Sequence, residues 1–196
     1  MTRAAALLIL SAAAAALIAG CGATVIPPRD PPEPVRAYLA DYGRHSSILL
    51  PTNDGRALHE YAFGDWDWFA AGRTSLLNGL DAMFASDGSA LGRRSVAVGP
   101  DPSRLADRVG ADRLLAFEAP RAKVVALETE LDARYRRNFD SHVYNPDANL
   151  AFVHDDERYS FWHNCNHVTA EWLEALGCEV RGSRITSRFK FAKSKG

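Results

Sequence analysis

What this chain has little of narrows its reading before any motif is considered. It holds three cysteines in 196 residues, Cys21, Cys165 and Cys178, and no Cys-x-x-Cys pair, which excludes a disulfide-stapled scaffold and a cysteine-rich zinc module. A surplus of charge of one sign is also missing: 23 Lys and Arg against 24 Asp and Glu leave a formal charge of -1, which argues against a nucleic-acid partner. There is no internal repeat. The one long apolar run, Ala4 to Ala19, falls short of the roughly 20 residues that a membrane-spanning helix needs. The remainder has the composition of an ordinary globular domain that folds without disulfide or metal.

The amino terminus reads as an address. Arg3 precedes the apolar stretch Ala4 to Ile18, and small residues follow at Ala19-Gly20, the pattern of an export signal. Leu17-Ile18-Ala19-Gly20-Cys21 resembles the bacterial lipobox, which implies that Cys21 is acylated and becomes the first residue. A plain secretory signal or an uncleaved anchor is the alternative. Five prolines fall in Pro27 to Pro34, a stretch too stiff for helix or strand, so residues 21–34 are expected to be a Pro-rich tether. The expected division is therefore 1–20 lipoprotein signal peptide, 21–34 tether and 35–196 folded domain. Gly22 stands where an aspartate is associated with inner-membrane retention, so an outer-membrane anchor facing the periplasm is expected.

Within the domain, apolar alternation predicts strands at Val35 to Asp41, Ser46 to Leu50, Ala57 to Phe63, Ser95 to Val98 and Arg113 to Glu118. Thr52-Asn53-Asp54-Gly55 is a turn signal that joins the second and third as a hairpin. Helices are predicted over Thr74 to Phe84, Pro102 to Val109, Lys123 to Arg137 and Asn164 to Leu176, the last closed by Gly177. Leu150 to Val153 and Tyr159 to Trp162 flank Asp155-Asp156-Glu157 as a second hairpin. Strands and helices in this order predict an α+β fold.

Cys165 falls in the first turn of a helix that Asn164 can cap. Free N–H groups and the positive helix end favour a thiolate there, as in thiol hydrolases. Cys178 lies about 18 Å away along the helix, too far for a disulfide, and reads as a small buried hydrophobe. His163, Cys165 and His167 alternate, but side chains about 100° apart on a helix do not converge on one ion, so no metal or other cofactor is expected.

A cysteine nucleophile needs a base and a group that orients it. His45 opens the Ser46 to Leu50 strand. Pairing the hairpin across its turn sets Ser47 opposite Glu60 and His45 opposite Ala62, which leaves Glu60 on the face of His45 and His59 on the other. A slip of one residue would exchange Glu60 for His59. Each alone also reads blandly, His45 as a rim histidine and Glu60 as a solvated carboxylate. His163 is the fallback base, while His142, His154 and His167 read as surface groups or neighbours of the thiol.

The segments Gly43-Arg44-His45-Ser46-Ser47-Ile48, Glu60-Tyr61-Ala62-Phe63-Gly64-Asp65 and Asn164-Cys165-Asn166, in that order, resemble the circularly permuted branch of the papain-like NlpC superfamily. Within it the chain is similar to a bacterial lipoprotein-type family of unknown function. The resemblance implies a small antiparallel sheet packed on a Cys-bearing helix, with Cys165 as nucleophile, His45 as base and Glu60 as third residue. It also implies an amide or ester substrate, from a peptidoglycan peptide or a lipid. Trp66 and Trp68 are candidates to line its groove, though paired aromatics are more often packing. The competing expectation is a non-catalytic envelope lipoprotein that binds a peptide or lipid in the same groove and is held to the membrane through Cys21.

Overall fold

A computed structural model describes residues 22–43, 45–70, 88–99, 104–160 and 162–192. Cys21, the signal segment and the helix expected over Thr74 to Phe84 lie outside these residues. The main sheet is antiparallel and joins β2 (Pro34–Asp41), β3 (Ser46–Pro51), β4 (Ala57–Asp65), β5 (Ser89–Ala97), β6 (Arg113–Pro120), β7 (Val143–Asn145) and β8 (Leu150–His154) in the order β6-β2-β3-β4-β5-β8-β7. Its interior strand β3 is buried from Ser46 to Leu50, because both faces are covered.

Side-chain alternation sorts these covers. Ile48, Leu50, Tyr61 and Phe63 point to one face and pack with α2 (Arg121–Arg137) and α3 (Cys165–Ala175). Leu49, Leu58 and Val96 point to the other, against α1 (Leu105–Val109). Beside them Ala62, Ala90 and Phe152 pack with Trp66 and Phe69 of a π-helical turn, Trp66–Ala70. Gly64 is required there, since a Cβ would come within 2.2 Å of the Phe69 ring. The α+β reading holds, with mostly antiparallel pairing.

Three expectations are corrected. Among the described residues sheet structure is present from Ala23, ahead of Val35: β1 (Ala23–Ile26) is the centre of a second, three-stranded sheet, antiparallel to β9 (Glu179–Gly182) and parallel to β10 (Phe189–Phe191). Ala23 and Val25 enter the main core, and that burial overrides the stiffness of the prolines that follow, so the expected tether over 21–34 does not hold for residues 23–26. The β3–β4 hairpin pairs Leu49 with Glu60 and Pro51 with Leu58, two residues from the expected register. A slip of two keeps the faces, so Glu60 still shares the Leu49 face and His59 the other. Finally, Tyr159 to Trp162 is not a hairpin strand; among the described residues it gives only the bridge Ser160–His163. Arg134 of α2 ion-pairs with Asp155 and Glu157, which draws that segment onto the helix, and the hairpin partner of β8 is β7.

Candidate functional site

Asn164 caps α3 as its sequence suggests, its side-chain oxygen accepting from the N–H groups of Asn166 and His167. Cys165 therefore sits at the first helical position, and it is buried at 7% exposure. Burial pushes its thiol up to about 11, against the pull of the Asn166 and Cys165 N–H groups and of the Tyr159 hydroxyl that hydrogen-bonds the sulfur. The helix end thus steadies the sulfur, but desolvation outweighs it and the resting group is a neutral thiol. The Tyr159 hydroxyl is in turn raised, first by burial and then by the sulfur and Asp65. Cys178 is free and lies in the main core.

One turn further along α3, the Thr169 hydroxyl donates to the Ser46 carbonyl at 3.4 Å, which ties the Cys-bearing helix to the strand start that His45 precedes. Both ring nitrogens of His45 are buried without a hydrogen-bond partner among the described residues. Burial alone lowers its pKa from 6.5 to about 4, so the ring is neutral. Its neighbours are aromatic: Phe69 at 4.6 Å between ring centroids and Tyr42 stacked at 6.4 Å. No hydrogen bond joins it to Glu60 or to the sulfur.

Glu60 is fully buried and held elsewhere. Its carboxylate accepts from Ser47 Oγ at 2.6 Å, from Arg94 Nε at 2.5 Å and from the Tyr42 hydroxyl. Arg94 also donates to the Val109 carbonyl at 2.7 Å, so the network fastens α1 to β3, β4, β5 and the turn after β2. The three residues expected to act together are thus separated: Glu60 faces α1, Cys165 belongs to the helix on the opposite face, and His45 lies just before β3 against Tyr42 and Phe69. Among the described residues Tyr42 links Glu60 to His45, hydrogen-bonding the one and stacking on the other. His59 is on the helix face, 2.7 Å from Glu128.

Trp66 stacks on His154 with ring centroids 3.6 Å apart, and the Trp68 backbone N–H donates to Asp65 Oδ1 at 2.8 Å. His163 is 2.8 Å from Glu157 through Nε2 and edges onto Phe63. Glu157, His163 and Glu171 bring ligand-type atoms within 4.8 Å of one another, but the guanidinium of Arg134 already occupies Glu157 at 2.7 Å, which makes an ion-pair cluster of them. Clefts of about 470 and 680 Å³ lie around the Thr52–Gly55 turn, at the far end of β3, and are lined by neither Cys165 nor His45.

Sequence reasoning missed Arg94, Tyr42 and Tyr159. Arg94 is directly opposite Glu60 in the β4–β5 register. Starting β5 at Ser89 rather than Ser95 would have placed it there. Compared with known proteins, the chain matches no family model, no curated protein and no solved structure. Among the described residues no helix is long and apolar enough to cross a membrane.

Proposed function

We propose that this chain is a lipid-anchored envelope thiol hydrolase or acyltransferase acting on an amide or ester bond, with the permuted papain-like arrangement that its motif order resembles. One observation carries the reading: a buried imidazole with both nitrogens unpartnered among the described residues stands at the start of the strand to which the Cys165 helix is hydrogen-bonded. A buried polar group without a partner costs stability, and a proton-accepting task at the site accounts for keeping one there.

The chemistry follows from the neutral state of both groups. A thiol raised by burial and an imidazole lowered by burial disfavour a standing thiolate–imidazolium pair. His45 instead takes the thiol proton as Sγ of Cys165 bonds to the carbonyl carbon. Collapse of the tetrahedral intermediate breaks the bond to the amine or alcohol, which leaves with the proton from His45. Water or an acceptor alcohol or amine, deprotonated by His45, then attacks the thioester carbon, the C–S bond breaks to release the acyl group, and His45 returns the proton to Sγ. Asn164 already occupies the N–H groups of Asn166 and His167, so the Cys165 N–H, which at rest is directed at its own sulfur, is the helix donor that turns to the developing oxyanion. Glu60 acts as a positioning residue by holding Tyr42 against His45.

The test is mass spectrometry of the protein after exposure to activated esters and acyl peptides. An acyl adduct on Cys165 that is lost in His45→Ala and kept in Cys178→Ala is expected. No adduct with either reagent class would overturn the reading. The second reading, a non-catalytic binding lipoprotein, is favoured by the raised thiol and by the commitment of Glu60 to Arg94, and it predicts that outcome.

A further inference from the structure

The three-stranded sheet has one face in the core and one face out. Phe189 and Val25 point inward, while Lys190, Thr24 and Arg181 are exposed. The register puts these three in one row, since Thr24 pairs with Lys190 on one side and with Arg181 on the other. Gly22 lies against the backbone of Arg188, where a Cβ would come within 2.5 Å of the Arg188 carbonyl oxygen, and the Ala23 N–H donates to that same oxygen at 3.0 Å. The strand that leads out toward Cys21 is therefore flanked by cationic side chains on both neighbours. From Glu179 to Gly196 there are six Lys and Arg and one acidic residue, Glu179 itself, which ion-pairs with Arg181.

We propose that the outer face of this sheet, with Lys190, Thr24 and Arg181 in its row and Arg188 beside Gly22, docks on an anionic phospholipid surface. The proposal rests on the reading of Cys21 as the anchored residue. Its weight comes from distance: Ala23 is already in the sheet, and two residues span about 7 Å at most. An acyl chain on Cys21 therefore holds the row within about one Debye length of the headgroups, roughly 8 Å at physiological salt, where a basic cluster attracts anionic lipid. A lipid chain and a basic patch together also satisfy the two-signal requirement for stable anchoring. The main sheet, with the Cys165 helix, is then held in one orientation to the membrane, instead of swinging on a flexible leash.

The full chain, produced with its leader in a bacterial host, is purified and its intact mass measured, then reconstituted in phosphatidylcholine vesicles with or without roughly 30 mol % phosphatidylglycerol. Acetylation of Lys190 is followed by mass spectrometry. On the anionic vesicles Lys190 should be modified at least about threefold more slowly than on the neutral ones. The difference should vanish near 0.5 M salt, at roughly which the Debye length shrinks to a few ångströms, and shrink in Arg181→Gln/Arg188→Gln. Equal rates on the two vesicle types, or a difference indifferent to salt, would overturn the docking face. A mass without acyl chains sinks the anchor reading by itself. Docking is then judged by co-sedimentation: binding to anionic vesicles alone upholds it, and no binding overturns it.

Discussion

Arg94 holds Glu60 across the β4–β5 pair, Nε to Oε2 at 2.5 Å, on a carboxylate with no exposed side-chain surface. This pair sits on the α1 face of the sheet while Cys165 sits on the other, so the carboxylate expected to orient the histidine is occupied with joining elements.

Removing one partner of this pair should be far worse than removing both. Arg94→Met strands a buried carboxylate and should cost about 3 kcal/mol or more in urea unfolding, whereas Arg94→Met with Glu60→Leu should recover much of that loss. If Arg94→Met alone unfolds like the wild type, the network is not structural.

The burial of His45 gives stability a signature in mild acid. The folded chain keeps the ring neutral down to about pH 4, while an unfolded chain protonates it near 6.5. The stabilisation is therefore complete above pH 6.5 and is lost as pH falls toward 4, up to roughly 3 kcal/mol. His45→Phe should flatten this slope in denaturant titrations at pH 4 to 7. An unchanged slope would show that another group sets it.

Cys165 should be a slow thiol at neutral pH. With its pKa pushed to about 11 by burial, alkylation should rise about tenfold per pH unit well past 8.5. In Cys178→Ala, which leaves one described thiol, a plateau reached below pH 8 would mean that the thiolate is favoured after all.

Gly64→Ala should act on His45 from across the Phe69 ring. The new Cβ would lie 2.2 Å from that ring, which itself rests 4.6 Å from the imidazole. Displacing it should destabilise the fold by about 1 to 3 kcal/mol and raise the His45 pKa by admitting water, visible in the imidazole proton shifts. A stability loss with an unmoved titration would separate packing from the site.

Deleting residues 22–26 should lower the melting temperature sharply, because Ala23 and Val25 are core residues and β9 and β10 meet through β1. Val25→Asp should do the same, since it buries an unpaired charge. A tether would tolerate both.

Much of this architecture was legible in the sequence, and the losses have physical causes. The strand pattern around Ser46 to Leu50, the long α2 stripe of Val124, Leu127 and Leu131, and the Asn164 cap with Gly177 at the other end are local signals. They come from periodicity and from backbone preferences that neighbours in sequence impose on each other; Gly177 takes a φ of 92°. What sequence could not decide was long-range. That Ala23 to Ile26 is a core strand depends on β9 and β10, more than 150 residues away. That Asp155 and Glu157 leave the sheet depends on Arg134, and that Glu60 is taken depends on Arg94. The sequence by itself determined two local settings, a cysteine behind a capping asparagine and a histidine at a strand start. Only the tertiary structure decided their states, because burial sets whether a thiol or an imidazole is charged, and burial is a property of packing.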